Sequence, residues 1–382
     1  MKINIVRPIH PPLRKIRYSL ENIFRNGIVT NNGKNVQKFE KNLQKYLNSK
    51  YPPVVFCNGQ MAFFNLLQAW RFKLKLKNYD KVYAIVPSFT WSGTINSLVM
   101  NNIEPIFCDI DDTLTIDLKK VQKNFFKLKK IKKKIKFIVP VSNYGNIPDV
   151  KNLKIFLKGK KIIPLIDSAP ALGSTLNKKF INNLGIDEMF SFHATKILSS
   201  MEGGCVVSNH KDIINYLKYL RDFGQFEKSI GDIKLPGLNS KMQEVSAIVG
   251  NENLKNFKNI LKNRVAIINK YKKFFSKFEK KGLLSTMKIN SNVFCVHLYF
   301  PILLNKNNEL FKNYLKKNNI NFRKYYSAVH TLNYYKNQKL KKNIGLEYTN
   351  SIKDKVIALP IFSNMKQNEL NYFFKKIENF FK

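Results

Sequence analysis

One lysine stands apart in this lysine-rich chain because of its surroundings. Lys196 lies within residues 190–204, FSFHATKILSSMEGG, where apolar and hydroxyl-bearing side chains precede a Glu-Gly-Gly turn. Desolvation disfavours the charged form of an amine, and a neutral amine can attack a carbonyl carbon and form a Schiff base. The segment indicates a nucleophilic lysine, although a lysine taken alone is more commonly a solvated surface residue.

A carboxylate precedes this lysine by 29 residues. Asp167 directly follows the apolar run of residues 162–166, which is typical of a buried strand. Ligands of open α/β sheets bind beyond the carboxyl ends of the strands, and a carboxylate there can keep the ring nitrogen of a bound group protonated. The alternative interpretation is that Asp167 caps the N-terminus of a helix.

A third polar feature follows another predicted strand. Asn58, Gly59 and Gln60 lie between the apolar residues 53–57 and a stretch with helical spacing, residues 60–70. Backbone N–H groups at a helix N-terminus bind phosphate. This strand–turn–helix junction therefore predicts an anion site.

Strands and helices alternate along the first 250 residues, which predicts an α/β fold with a mostly parallel sheet covered by helices on both faces. The predicted strands are residues 53–57, 82–86, 106–109, 137–141, 162–166, 189–192 and 204–207. Residues 251–382 change to a long lysine-rich helix, a strand at 293–300, and a final helix at 368–380. We therefore expect a large domain over 1–250 and a smaller C-terminal α+β domain over 251–382.

The composition narrows the class of protein. The 382 residues are 44% hydrophobic and carry a net charge of +42, nearly all of the excess being lysine. Arginine, the preferred residue for binding phosphates and bases, is scarce, so we expect no nucleic-acid partner. We interpret the lysine-rich residues 127–136 as a solvated helix face. No leader or membrane-spanning pattern is visible and the four cysteines form no CxxC pair, so we expect a cytoplasmic protein with no membrane partner and no metal site.

Ten short motifs give this chain a resemblance to a known family. In chain order they are residues 27–33 (GIVTNNG), 57–62 (CNGQMA), 86–94 (VPSFTWSGT), 139–146 (VPVSNYGN), 166–173 (IDSAPALG), 190–204, 220–224 (LRDFG), 237–244 (GLNSKMQE), 323–330 (RKYYSAVH) and 358–361 (ALPI). The order resembles that of the DegT/DnrJ/EryC1/StrS sugar-nucleotide aminotransferases. Those enzymes use pyridoxal 5'-phosphate (PLP) and have fold type I of the aspartate aminotransferases.

The resemblance implies a role for each candidate residue. Lys196 and Asp167 are the expected catalytic residues: Lys196 bonds the cofactor and shuttles a proton, and Asp167 pairs with the ring nitrogen. The other implied cofactor-binding residues are Asn58, Gly59, Gln60, Trp91, Ser191 and, from the partner subunit of a homodimer, Asn239. Those implied to bind substrate are Tyr325, Tyr326 and His330.

Two residues depart from the family's pattern, and a third, His193, has a structural interpretation. Gln60 replaces a hydroxyl residue, and Pro170 replaces a glutamine or histidine near the cofactor ring. His193 resembles a fold-forming residue of its segment rather than an acid–base group. Residues 226–236, before Asn239, have the composition of a loop able to extend across a subunit interface.

The implied activity is transfer of an amino group from L-glutamate to a nucleotide-linked keto sugar. The segments at 139–146 and 323–330 resemble members that aminate C4 of 4-keto-6-deoxyhexoses on dTDP or GDP, which points to surface polysaccharide or lipopolysaccharide biosynthesis. One alternative is a PLP-dependent sugar 3-dehydratase, but those relatives carry histidine where this chain has Lys196. The other alternative is a non-catalytic or nucleic-acid-binding member.

Overall fold

A central seven-stranded sheet organises the protein. The computed structural model describes residues 1–225, 232–337 and 342–382. In chain order, the strands of the described residues are β1 Val54–Phe56, β2 Val82–Pro87, β3 Phe89–Thr90, β4 Ile103–Cys108, β5 Ile135–Ile138, β6 Ile163–Asp167, β7 Thr175–Leu176, β8 Asp187–Ser191, β9 Gly204–Val207, β10 Leu284–Thr286, β11 Val293–Phe294, β12 Phe300–Leu304, β13 Ser327–Ala328 and β14 Val356–Leu359.

The strand order of the central sheet is β1-β9-β8-β6-β5-β2-β4. Strands β4, β2, β5, β6 and β8 run parallel to one another, whereas β9 is antiparallel to both β8 and β1. Strand β2 is buried at all six residues, as expected where helices cover both faces of a parallel sheet. The α/β fold predicted from the sequence is confirmed.

Helices cover the sheet and build the C-terminal part. The α-helices of the described residues are α1 Leu13–Arg25, α2 Lys34–Leu47, α3 Gly59–Lys73, α4 Ser92–Met100, α5 Leu118–Asn124, α6 Val150–Leu157, α7 Lys211–Arg221, α8 Glu244–Lys255, α9 Phe257–Lys280, α10 Asn308–Lys317, α11 Asn333–Asn337, α12 Glu347–Ile352 and α13 Gln367–Phe381. Short 3-10 helices span Phe125–Lys134, Asn143–Gly145, Ile181–Leu184 and Val329–Thr331. No helix of the described part is long and apolar enough to cross a membrane.

The buried apolar residues form separate clusters on either side of the sheet and in the C-terminal part. One cluster joins α3, α4 and α7 to one face of the sheet, and another joins α5 and α6 to the opposite face. A C-terminal core unites α9, α10 and α13 with the antiparallel sheet β10-β12-β14, and Ile3 from the N-terminus packs into it. The expected boundary between residues 250 and 251 lies within helix α8.

The prediction of one strand over residues 293–300 was wrong. Strand β11 pairs with β7, β12 pairs with β10 and β14, and the intervening chain bends at His297, whose φ is +47°. The buried guanidinium of Arg264 explains the break, because it donates to the carbonyls of Val296, His297 and Leu298. Those carbonyls accept from the guanidinium in place of a neighbouring strand.

Candidate active site

The carboxyl ends of β1, β6 and β8 and the turn after β2 meet at one cavity of about 360 Å³. This is where ligands bind in open α/β sheets. The structure brings together nine of the residues that the sequence singled out. They line the cavity and are Asn58, Gly59, Gln60, Trp91, Asp167, Ser191, Lys196, Tyr325 and Tyr326.

Lys196 lies half-buried in the loop between β8 and β9. A backbone hydrogen bond of 2.8 Å, from the amide of Lys196 to the carbonyl of His193, folds the loop back on itself. The side-chain amine then reaches the phenol of Tyr325 and donates to its oxygen at 3.1 Å. The indole of Trp91 stacks on the same phenol, with ring centroids 5.8 Å apart and planes inclined by 27°. The amine is therefore held by an aromatic ring that belongs to the C-terminal part of the chain.

Asp167 is buried at the end of β6 with both carboxylate oxygens bonded. Thr94 Oγ1 donates to Oδ2 at 2.6 Å, and the amide of Ala169 donates to Oδ1 at 3.0 Å. Burial raises the pKa of Asp167 above its usual value, while these two hydrogen bonds and the charge of Lys196 act in the opposite direction. A protonated ring nitrogen in the cavity would offset the effect of burial on this pKa, since an opposite charge favours the ionised carboxylate.

The first turn of α3 faces the cavity with free donors. Asn58 caps the helix, its side-chain oxygen accepting from the amide of Met61 at 2.8 Å. The backbone N–H groups of Gly59 and Gln60 lie in the first turn, where the helix has no earlier carbonyl to accept their hydrogen bonds. They are therefore available to an anion. Ser191 adds a hydroxyl beside them, because it lies against Gly59 at the end of β8.

Glycine is required where β9 begins. A Cβ on Gly204 would lie 2.5 Å from Gly59 Cα and 2.6 Å from its nitrogen. Such distances are far inside van der Waals contact, so only a residue without a side chain lets β9 approach the start of α3. The anion site is thus formed by two stretches of backbone in direct contact.

Several cavity residues were missed by the sequence interpretation. Thr94 and Arg323 lie inside motifs that were recognised, yet neither was assigned a role. Thr94 follows Trp91 by three residues and could have been proposed as a hydroxyl donor from that spacing. Arg323 is one of few arginines, and a guanidinium fork is suited to carboxylate or phosphate. Glu202 lines the cavity too, 3.5 Å from the Nε2 atom of His193.

Two of the predicted site residues do not line this cavity. His330 is hydrogen-bonded through Nδ1 to Ser88 Oγ at 2.6 Å and through Nε2 to Asn350 Oδ1 at 3.1 Å. Burial lowers its pKa. Asn239 is exposed on its own chain, and its backbone forms an isolated antiparallel β-bridge with Asp222. Of the loop predicted at 226–236, residues 226–231 lie outside the described part of the chain.

The sequence as a whole matches a known family. The model of the DegT/DnrJ/EryC1/StrS aminotransferase family matches residues 14–378. The chain belongs to this aminotransferase family. The family predicted from the sequence motifs is confirmed, and so is the class of enzyme.

Relatives agree with this family assignment, and a solved structure shares the fold. The aminotransferase is 30% identical over 379 residues to dTDP-4-amino-4,6-dideoxy-D-glucose transaminase of Shigella dysenteriae, covering 97% of this chain and 96% of the relative. It is 31% identical over 265 residues, 64% of this chain and 65% of the relative, to GDP-4-keto-6-deoxy-D-mannose 3-dehydratase of Yersinia pseudotuberculosis. Helicobacter pylori PseC, an aminotransferase of pseudoaminic acid biosynthesis, shares the fold, with a TM-score of 0.87, 21% identity and 99% coverage of each chain.

Proposed function

We propose that this aminotransferase uses pyridoxal phosphate to move an amino group from L-glutamate to the C4 ketone of a nucleotide-linked 4-keto-6-deoxyhexose. The observation that carries the proposal is the shared cavity of the Lys196 amine, the buried Asp167 carboxylate and the free donors of helix α3. A nucleophilic amine, a partner for a cationic ring and an anion cradle are the three features that this cofactor needs.

The residues present fit the cofactor. The amides of Gly59 and Gln60, together with Ser191, would hold its phosphate at the α3 N-terminus. Asp167, already bonded on both oxygens, would hold the proton of the ring nitrogen. The departures from the family's pattern do not remove these donors. Gln60 changes a side chain but keeps its amide, and Pro170 lines the cavity without being one of these donors.

When bound, pyridoxal phosphate supplies an electron-withdrawing ring and a carbonyl carbon through which an amino group is carried. The protein's own task is then to move protons and exclude water. Lys196 would take a proton from the α-carbon of the amino donor and deliver a proton to C4 of the keto sugar. Tyr325 fixes the direction of the Lys196 amine through its 3.1 Å hydrogen bond. Trp91, 58% exposed at the cavity mouth, would cover one face of the ring.

The substrate class is supported by charge and by relatives. Arg323 provides a guanidinium on the cavity wall for the carboxylate of glutamate or the diphosphate of a nucleotide sugar. The relatives described above act on dTDP-linked and GDP-linked 6-deoxyhexoses. We propose the same substrate class for this chain, in a cytoplasmic step of surface polysaccharide biosynthesis such as that of lipopolysaccharide.

We also propose a homodimer in which Asn239 of each subunit completes the other subunit's anion site. The support is the exposure of Asn239 on its own chain, combined with its place in a Gly-x-Asn-x-x-Met segment. A symmetric dimer would contain two such sites. A mixed dimer of Lys196→Ala and Asn239→Ala chains should regain up to about half of wild-type activity in this two-site arrangement. No gain despite confirmed subunit exchange would contradict it.

A half-reaction screen tests the main proposal. The enzyme loaded with the amino form of the cofactor is mixed with dTDP-, GDP- and UDP-linked 4-keto sugars, and the cofactor spectrum and product mass are followed. We expect one sugar to return the cofactor spectrum to that of the pyridoxal form, and that sugar to gain an amino group. Lys196→Ala, tested in parallel, should do neither. A product that has lost water at C3 would instead favour the dehydratase, and a silent panel would contradict both.

A further inference from the structure

One surface of this protein holds a disproportionate share of its charge. Residues 119–161 contain fifteen lysines, no arginine and a single acidic residue, Asp149, so they carry +14 of the chain's +42. They are about a ninth of the sequence but a third of the net charge. A uniform compositional bias toward lysine would not concentrate the charge in this way.

These lysines are exposed and largely unpaired. The 3-10 helix Phe125–Lys134 has exposed lysines at 127, 129, 130, 132, 133 and 134, and helix α6 with its following turn exposes Lys151, Lys154, Lys158 and Lys161. Within the described part of the chain, Lys120 is the one lysine of the fifteen that forms an ion pair, with Asp109 and Glu347. The positive charge is therefore not neutralised locally. The acidic groups beyond its edge, Asp111, Asp112 and Asp117, lie beside Lys119.

The two helical elements form one continuous surface. The rings of Phe125 and Phe156 pack edge to face at 5.2 Å and join the 3-10 helix to α6. The amines of Lys132 and Lys160 both lie over the Phe125 ring, at 5.8 and 5.7 Å from its centroid. Lysines from both elements therefore flank the same aromatic pair.

Two apolar side chains project from this surface. Phe126 is 60% exposed and Ile155 is 50% exposed, each beside a ring of the Phe125–Phe156 pair in sequence. We call these two residues and the exposed lysines of 127–134 and 151–161 the lysine patch. Lysine with projecting phenylalanine or aliphatic residues is the composition of segments that lie in the interface of an anionic bilayer.

We propose that the lysine patch binds the surface of a membrane containing anionic lipids. Clustered lysines are attracted to such surfaces electrostatically, and Phe126 and Ile155 can enter the headgroup region. The binding is peripheral, since no helix in the described residues could span a bilayer. A nucleic acid fits less well, because arginine, which pairs with phosphates in two-point fashion, is absent from the patch. The proposal revises the expectation from sequence that the protein has no membrane partner.

Vesicle flotation tests the proposal with the full-length, cofactor-loaded protein. Vesicles of phosphatidylcholine with phosphatidylglycerol are compared with pure phosphatidylcholine vesicles, at low and high salt. We expect binding to the anionic vesicles alone, weakened by salt. The test variant replaces four lysines of the patch: K127Q, K129Q, K130Q and K133Q. It should lower the vesicle partition coefficient at least about tenfold, without changing transaminase activity in solution.

A control variant with the same loss of net charge tests whether vesicle binding depends on the lysine patch itself or only on the total charge. The control variant removes four exposed lysines from the long helix α9: K258Q, K262Q, K273Q and K280Q. It should bind vesicles like the wild type, while Phe126→Ser should reduce the binding that remains at high salt. No vesicle binding, equal losses in both quadruple variants, or patch-dependent binding of duplex DNA or RNA without vesicle binding would each overturn the proposal.

Discussion

The two sides of the active-site cavity are built differently. On one side, Asn58, Asp167 and Ser191 stand at or just beyond the ends of sheet strands, where backbone pairing fixes them. On the other, Arg323 and Tyr325 come from a segment tied to the C-terminal sheet by backbone bonds between Arg323 and Ala358. The first side is positioned by the large sheet, and the second by how the C-terminal core packs against it. We call them the sheet side and the C-terminal side.

This difference assigns separate tasks. The sheet side carries the groups that fit the cofactor, all held by the rigid scaffold. The C-terminal side carries the guanidinium and phenols that we propose contact the substrate. Changes on the sheet side should therefore alter cofactor binding and chemistry, whereas changes on the C-terminal side should alter substrate affinity.

Lys196→Ala should have the largest effect. We expect no measurable transamination and an unchanged circular dichroism spectrum, because the variant removes the nucleophile, a half-buried side chain of a loop, without opening the core. Borohydride reduction followed by peptide mapping should attach the cofactor to Lys196 in the wild type. The surface variant Lys211→Ala should keep full activity and labelling. A label on another lysine would refute the assignment.

Asp167→Asn should lower turnover by about a thousandfold or more, the scale of losing a strong transition-state electrostatic interaction, while the cofactor still binds. The control is the same Asp-to-Asn substitution at an aspartate that caps a helix. Asp149 caps α6 through the amide of Asn152, and asparagine caps as well as aspartate, so Asp149→Asn should be neutral. Near-normal turnover in Asp167→Asn would show that Asp167 is only a structural residue.

The C-terminal side is tested at Arg323. Arg323→Gln should raise the KM for one of the two substrates by about 10- to 100-fold, the loss of a charge-assisted pair, with cofactor retention unchanged. Arg323→Lys keeps the charge but not the two-point geometry and should recover part of the loss. Steady-state kinetics with glutamate and the keto sugar varied separately identify which substrate it binds. A loss of cofactor instead would remove the distinction between the two sides.

The sequence was sufficient for most of the sheet side, where Thr94 was missed, but for less of the C-terminal side. There it indicated Tyr325 and Tyr326 and missed Arg323. Asp167 and Asn58 follow short apolar runs, and parallel strands bring their carboxyl ends to one edge, so their meeting was predictable. The bend at His297 was not, because it depends on Arg264, which is distant in sequence and binds the carbonyls there. His330 illustrates the same limit. Its bonds to Ser88 and Asn350 come from tertiary packing that no local pattern reports.

Thr94 should have a smaller effect on the sheet side. Its hydroxyl donates to Asp167, and this hydrogen bond lowers the pKa of the carboxylate. Thr94→Val removes the donor, so the pKa of Asp167 should rise and the acid limb of kcat/KM should move to higher pH. We expect about a tenfold loss of activity near neutral pH, the scale of one hydrogen bond to a charged group. Thr94→Ser should behave as the wild type. An unmoved acid limb would show that this bond does not tune Asp167.

The smallest effect on turnover is expected at Glu188 in β8. Burial raises the pKa of Glu188 to about 7, while hydrogen bonds from Ser168 and from the amide of Asn182 lower it. Because the folded state holds this proton more tightly, its stabilising contribution is present below pH 4.5 and is lost as pH rises to about 7. Chemical unfolding should show a decline of about 1–3 kcal/mol over that window. Glu188→Gln mimics the protonated form and should make this decline in stability shallower, with kcat unchanged. An equally steep decline in the variant would exclude Glu188 as a source of it.

The contact between Gly204 and Gly59 sets a boundary for engineering the protein toward new sugars. A side chain at residue 204 would enter the backbone of residue 59, so libraries that randomise these two glycines should return mostly unfolded clones. Diversity is better placed at Arg323, which lines the cavity from the C-terminal side without carrying the backbone junction. Substrate range can then evolve on one wall while the other is inherited unchanged.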